Sequence, residues 1–576
     1  MKYISPNNSF QNRFNKPLSV YVNWAAYDEL SDNVRLTEQI ALEQFDEMIR
    51  LKDQGVQFDY YLMDCFWFSK DGGYRAWRKP DWPEHGPEKF LKRCHEHNIK
   101  PGIWVSTNFL VAGEEYWFLD VIPEWKDSLA SHGRSFCLFD GGYLSYFMQS
   151  LQLLADQGFK MFKFDFADFD AATPAVEKTH TPEEIRENNI RALLSAFKVF
   201  RYKNPDVLFL AYNGYGGEYT NTSLPVSQTI DLRWLEVFDS LYCGDPRLSD
   251  IPFNNFWRSK DHYTDHMVRQ YELNGVPLRN IDNCAFMIGN TGTCYHRGKA
   301  GWKAALLLSL TRGGWMNTYY GDLKLLDNAE GAWFAKAQAM FYELQEFGQI
   351  KTIGNIPGEG EIYGYEAENR LGKIITVINP RQEVTHVNIG AFVQSEDAST
   401  RILFADEGFE PCIEGKQVLL GPEQMVVIGT GKYAGEAYDL GKGDFNKIAK
   451  EINELTFVKS ATSGTNSLNA EVSVPANQNL LIMIQQFDPQ TNLPCRSTGG
   501  GEPHGTRLNK IFRLSVSQNG KEIPFRQDYD KAIWSGLSWV ATEIEAEKIN
   551  SDNPVKIHYD SDEPLETRLK VFAAKH

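Results

Sequence analysis

At 576 residues and a formal net charge of −17, with no basic block to offset it, the chain is poorly suited to a nucleic-acid partner; a neutral or cationic substrate fits better. The eight cysteines (65, 94, 137, 243, 284, 294, 412 and 495) form no CxxC pair or disulfide framework. The first ten residues, MKYISPNNSF, contain no hydrophobic run, and no apolar segment reaches membrane-spanning length. The expectation is therefore a soluble, cytoplasmic chain with reduced thiols, no cofactor and no membrane partner, although a removed export signal stays compatible with it. The composition leaves the oligomeric state open. The 13% aromatic content, with 14 Trp, 26 Tyr and 36 Phe, supplies rings suited both to cores and to sugar faces.

In chain order, residues 18–24 (LSVYVNW) read as a first strand. A helix follows with Ala41, Phe45, Met48 and Ile49 on one face and Gly55 at its stop. A second strand, 57–64, ends on Asp64; a helix over 84–98 leads to a third strand at 100–106. A helix around 142–157 delivers the chain into a fourth strand at 159–165. Thr181-Pro182-Glu183-Glu184 predicts a capped helix start, with Thr as N-cap, Pro at the first position and Glu at the capping-box position. Further strands are expected at 206–212, 237–243, 282–288 and 313–319, and helices at 258–273, 300–310 and 328–347. Eight strands, mostly separated by helices, predict an α/β fold: an enlarged (β/α)8 TIM barrel over residues 1–347. The added length lies after strands, at 106–140, 166–181, 213–236 and 244–257, where this fold builds its active-site face.

Beyond residue 347 the pattern changes to short alternating runs such as 372–379, 401–406 and 424–431, predicting a small antiparallel β-sandwich over 348–435. A polar, helix-prone connector is expected over 436–455. A second β-rich domain, 456–576, follows with runs at 479–487, 512–523 (turning at Asn519-Gly520) and 569–574.

The most informative stretch is Met161-Phe162-Lys163-Phe164-Asp165-Phe166. Side chains alternate along a strand, so Lys163 and Asp165 share one face while Phe162, Phe164 and Phe166 take the other. The rings are expected beneath a covering helix and the charges at the barrel mouth. A structural ion pair is the plain alternative, because burying charge requires a partner or a task. Asp245, in CGDPRLSD, follows the sixth strand, so both acids open onto one barrel face. Two carboxylates across a barrel mouth match the needs of glycoside hydrolysis, with one attacking the anomeric carbon or activating water and the other protonating the leaving oxygen.

The segments LMDCFWF (62–68), PGIWVSTN (101–108), MFKFDFAD (161–168) and CGDPRLSD (243–250) occur in this order at strand ends. Here, over roughly residues 15–435, the chain resembles the α-galactosidases of glycoside hydrolase family 36 and their clan. The resemblance implies Asp165 as the nucleophile of a retaining double displacement and Asp245 as general acid/base, with Asp250 the other candidate for that acid. It implies that Lys163 hydrogen-bonds the sugar and holds Asp165 ionised, that Asp64 binds a sugar hydroxyl, and that Trp67 and Trp104 form walls. Arg247 would orient a carboxylate or hydroxyl. Cys65 stands where the family has a second acid, and the family's large N-terminal β-sandwich is absent. Tyr212-Asn213-Gly214-Tyr215-Gly216-Gly217 replaces its Cys/Gly-rich element, which puts Asn213 among the substrate-binding candidates. The implied partner is an oligosaccharide or glycoside. An α-galactoside is the first expectation, with another α-glycoside, such as an α-N-acetylgalactosaminide, or a degenerate carbohydrate-binding protein as alternatives.

His262 and His266, four residues apart, lack the glutamate of a metalloprotease motif and read as a polar helix face, so no metal is expected. Thr498-Gly499-Gly500-Gly501-Glu502 lacks the lysine of a phosphate loop. Trp534 and Trp539 read as packing residues.

Overall fold

The computed structural model describes residues 16–27, 34–69, 73–83, 86–109, 125–215, 230–243, 265, 267–289, 299, 301–347, 349–355, 362–379, 381, 384–390, 399–405, 409–421, 424–442, 451–463, 467–487, 512–525, 539–561 and 566–575. They form two compact units: residues 1–244, 270–292 and 314–335, and residues 245–269, 293–313 and 336–576.

The first unit holds eight parallel strands: β1 (Leu18–Val22), β2 (Tyr60–Met63), β3 (Lys100–Ser106), β4 (Met161–Asp165), β5 (Leu208–Ala211), β6 (Ser240–Leu241), β7 (Asn283–Ile288) and β8 (Met316–Gly321). They hydrogen-bond in the order β6-β5-β4-β3-β2-β1-β8-β7. A parallel bridge from Leu241 to Ile281, with Asp282 N donating to Leu241 O at 2.8 Å, joins the two ends of that order. The result is the expected (β/α)8 barrel. Helices α1 (Glu38–Asp53), α2 (Glu88–Glu96), α3 (Tyr143–Asp156) and α4 (Pro182–Lys203) follow β1, β2, β3 and β4. In the chain, α5 (Trp302–Thr311) follows β7 and α6 (Asn328–Phe347) follows β8.

Local chemistry accounts for these boundaries. Thr181 Oγ1 accepts from Glu184 N and the Glu184 carboxylate accepts from Thr181 N, the reciprocal cap read from the sequence. On the outer face of β4, Phe164 meets Phe197 of α4 at 4.7 Å and Phe162 meets Phe200 at 6.0 Å, joined by Phe209 and Phe238. Phe166 departs from the expected alternation. Its backbone turns left-handed (φ 48°), and its ring lies 6.2 Å from that of Trp104 instead of beneath α4. A strand's period of two ends where its hydrogen-bonded ladder ends, and β4 ends at Asp165.

In the second unit, a six-stranded, mostly antiparallel sheet and a three-stranded antiparallel sheet share one apolar core. Ile375, Val377, Val426 and Ile428 contribute from the first, and Val418 and Leu420 from the second. Further on, a four-stranded and a five-stranded sheet share another core that includes Leu480, Ile482 and Val571 opposite Leu468, Val516 and Ile557. Asn519 and Gly520 both take positive φ (53° and 75°), as the tight hairpin between Phe512–Gln518 and Lys521–Glu522 requires. The connector differs from expectation. Residues 436–438 form a 3-10 turn, and Glu451–Glu454 is a strand paired with Phe572–Lys575. Pairing to a neighbouring strand overrides helix propensity there. Among the described residues, no helix is long and apolar enough to cross a membrane.

At the start of β6, Asp239 is fully buried and receives both outer nitrogens of Arg201, itself 7% exposed, as well as Phe209 N at 2.8 Å. Removing one partner strands a buried charge. Asp239→Ala is expected to cost about 3–5 kcal/mol of stability. Urea unfolding followed by tryptophan fluorescence measures it, and a loss within experimental error would show that the pair is dispensable.

Candidate active site

Strand register assembles the site. Met63 pairs with Ile103, Trp104 with Lys163, and Ser106 with Asp165, so Asp64, Trp104 and Lys163 lie side by side, with Asp165 one strand repeat further along. Lys163 and Asp165 share the face opposite Phe162 and Phe164, as their spacing predicts.

Asp165 ends β4 and is 7% exposed. Its Oδ1 accepts three hydrogen bonds, from Phe166 N (3.0 Å), Asn213 N (3.1 Å) and Asn213 Nδ2 (2.9 Å); its Oδ2 accepts one, from Trp104 Nε1 (3.1 Å). Two backbone departures lie beside these donors. Phe166, whose N–H donates to Asp165 Oδ1, leaves the strand conformation with a positive φ. Gly214 (φ 98°) lets the segment after β5 press against β4's extension, where Ala167 N donates to Asn213 O at 3.0 Å. A Cβ at Gly214 would sit 2.0 Å from the Ala167 carbonyl oxygen, so only glycine fits.

Lys163 Nζ donates to Asp64 Oδ2 at 2.8 Å, both residues being buried. Asp64 Oδ1 accepts from Cys65 N at 2.9 Å, and Asp64 N donates to Asn23 Oδ1 at 2.8 Å. Burial pushes the Asp165 carboxyl above the ordinary carboxylate range, opposed by the Lys163 charge and by the Trp104 and Asn213 donors, and reinforced by Asp64. Burial, with the Asp64 charge, also pushes the Cys65 thiol well up, so it stays protonated beside Tyr27, whose hydroxyl donates to Cys65 O at 3.0 Å.

The two tryptophans serve differently from the walls expected of them. Trp67 is fully buried and donates through Nε1 to Trp104 O at 2.9 Å. Trp104, 2% exposed, lies parallel to Phe68 at 6.1 Å with its N–H on Asp165. Together they brace the carboxylate, and neither offers an open ring face. Asp245, Arg247 and Asp250 lie outside the described residues, as do His262, His266 and the 498–502 loop.

Polar groups not anticipated from the sequence adjoin this cluster. Asp282, 1% exposed, accepts from the hydroxyls of Tyr212 and Thr318. It precedes β7 and so reads as a residue at the far end of the barrel. Register through Ala211, Leu241 and Ile281 instead brings it level with Tyr212, because strands in a barrel are staggered. Asp168, three residues past Asp165, accepts from Ser135 Oγ (2.5 Å) and lies 3.4 Å from His132 Nε2. Burial pushes the Asp168 carboxyl upward, but the His132 and Ser135 hydrogen bonds outweigh it and hold the group below its usual range, while the Asp168 hydrogen bond raises His132. The acid in MFKFDFAD was the available signal for Asp168; His132 had none.

The chain matches no protein-family model and no curated protein. Among solved structures it is similar to a trehalose-6-phosphate hydrolase of Bacillus licheniformis (10% identity over 73% of this chain and 99% of that one, TM-score 0.47). It is also similar to a provisionally assigned α-galactosidase of Bacteroides fragilis (13%, 73% and 80%, TM-score 0.45) and an isomaltulose synthase of Klebsiella (10%, 72% and 99%, TM-score 0.45). At such identities and scores none of them bears on the chemistry of this site.

The raised Asp165 pKa carries a sign for stability. A carboxyl whose folded pKa exceeds its unfolded one disfavours the folded state once ionised, so its contribution to stability falls as pH rises from the unfolded value through the folded one. Asp165→Asn is therefore expected to melt a few degrees higher than the parent at neutral pH, the gap closing as pH falls toward about 4. Paired thermal melts across pH check this; a variant that melts lower at neutral pH would mean that its four donors outweigh the desolvation of the charge.

Proposed function

We propose that this protein is a retaining α-glycoside hydrolase, acting on an α-galactoside or a close relative by double displacement. The observation that carries the reading is the carboxylate of Asp165. It stands at the C-terminal end of a barrel strand, where enzymes of this fold keep their chemistry, with its geometry fixed by four N–H donors and an ammonium nearby. Its hydrogen-bond donors are neutral groups, in contrast to Asp239, whose carboxylate receives the Arg201 guanidinium.

In this mechanism the two oxygens divide the work. Oδ1, saturated by three donors, anchors the group; Oδ2, with one hydrogen bond, keeps a lone pair for the anomeric carbon. Attack forms a glycosyl ester on Asp165 and expels the aglycone oxygen, which takes its proton from the general acid assigned to Asp245. The resulting Asp245 carboxylate then deprotonates water, which cleaves the ester and returns the sugar with its α-configuration. That cycle needs the two carboxyl groups about 5–5.5 Å apart. The Lys163–Asp64 pair offers both an ammonium donor and a carboxylate acceptor to sugar hydroxyls.

Cys65 favours a second reading within the same chemistry. A protonated thiol accepts hydroxyl hydrogen bonds poorly, which supports a sugar other than galactose, such as N-acetylgalactosamine.

Asp165→Asn is expected to lower hydrolysis of nitrophenyl α-glycosides by at least about 10⁴-fold. Asp245→Asn should spare nitrophenyl substrates, whose leaving groups need little protonation, more than natural glycosides. NMR of the first-formed sugar gives the anomer. Full activity in Asp165→Asn would remove the nucleophile, and a β-product would replace retention with inversion. Because Asp165 must be ionised to attack, the acid limb of kcat/KM should lie above about 4.

A further inference from the structure

The barrel interior holds a polar group that the proposed chemistry does not use. The Tyr212 hydroxyl donates to Asp282 Oδ2, and Thr318 Oγ1 donates to Oδ1 at 3.0 Å. Having given its one proton to Asp282, the Tyr212 oxygen accepts from the Tyr320 hydroxyl, 2.5 Å away. Donation thus runs from Tyr320 to Tyr212 to Asp282, and each phenol is polarised toward the buried carboxylate. The ring of Tyr212 is backed by Tyr242, stacked at 4.6 Å. The other partner of Tyr212 is a cation: Lys163 Nζ lies 4.2 Å from the Tyr212 ring centroid and 5.4 Å from that of Tyr320.

We infer that Tyr212 and Tyr320, oriented by Asp282, are positioning residues that clamp the Lys163 ammonium against Asp64, and so set the positive charge next to Asp165. A lysine head carries three donors on a flexible four-carbon stem with intrinsic rotational freedom. Two electron-rich faces on a rigid, hydrogen-bonded support remove that freedom, and a ring polarised by a carboxylate attracts a cation more strongly than an isolated one. The inference rests on the glycosidase reading only in giving Asp165 its task. The titrating and charged groups around Lys163 are Asp64 and Cys65 beyond β2, Asp165 on β4, Tyr212 beyond β5, Asp282 before β7 and Tyr320 on β8.

The test is a double-mutant cycle on the full chain. Tyr212→Phe keeps the ring and removes the hydroxyl, so it loosens the clamp without changing net charge. It should lower kcat/KM on an α-glycoside about tenfold. With the ammonium less well held, the acid limb of its pH profile should move up by about half a unit to one unit. In a Lys163→Met background the same change should cost less than about twofold, because the residue acts through the missing ammonium. Equal losses in both backgrounds, or an unmoved acid limb, would overturn the inference. If Tyr212→Phe fails to fold, Tyr320→Phe enters the same cycle under the same criteria. A wild type that hydrolyses no glycoside counts against the glycosidase reading alone. The cycle is then read in melting temperature, where non-additivity between Tyr212 and Lys163 upholds the clamp and additivity overturns it.

Discussion

A single ammonium inside a ring of parallel strands governs the arrangement around it. Lys163 and Asp64 are both withdrawn from water, which costs several kcal/mol per ion before their attraction is counted. Asp165 adds a second carboxylate beside them, and Asp282 a third within the same interior. Such a set is tolerable only when every oxygen is met by a donor. The surrounding residues fall into place on that requirement: Asn23 and Cys65 N around Asp64, Trp104 and Asn213 around Asp165, Tyr212 and Thr318 around Asp282.

The backbone meets the same requirement. Phe166 departs from the strand conformation immediately after the acid, and Gly214 departs from it immediately after Asn213. Beside these departures the main-chain N–H groups of Phe166 and Asn213 both donate to Asp165 Oδ1. A left-handed phenylalanine is a strained conformation, and such strain is held only where the surroundings fix it. Here the ring is fixed between Trp104 and Phe109. The tryptophans belong to this support: Trp67 holds the Trp104 carbonyl while the Trp104 indole holds the acid.

Different parts of this architecture were legible to different degrees. The eight strands and the α4 cap could be read because each follows from neighbours a few residues away: alternation, apolar runs and Thr181 with Glu184. Lys163 and Asp165 shared a face for the same reason. The roles of Trp67 and Trp104 could not be read, since a tryptophan lining a cavity and one bracing a carboxylate look identical in sequence. Asp282 was hidden by the assumption that strand starts lie far from the mouth, which the stagger of β6 and β7 defeats. The strand at Glu451–Glu454 was hidden because its partner lies more than a hundred residues away, at Phe572–Lys575.

By itself the sequence determined the period of each element, the barrel's strand count and the pairing of a lysine with an acid on one strand face, because these depend on local covalent geometry and spacing. Only the tertiary structure decided which oxygen of Asp165 is saturated, that Lys163 binds Asp64, and that two tyrosines and Asp282 close around it. Those contacts join residues from β2, β3, β4, β5, β7 and β8 and their flanks, and no local rule sets the register that brings them together.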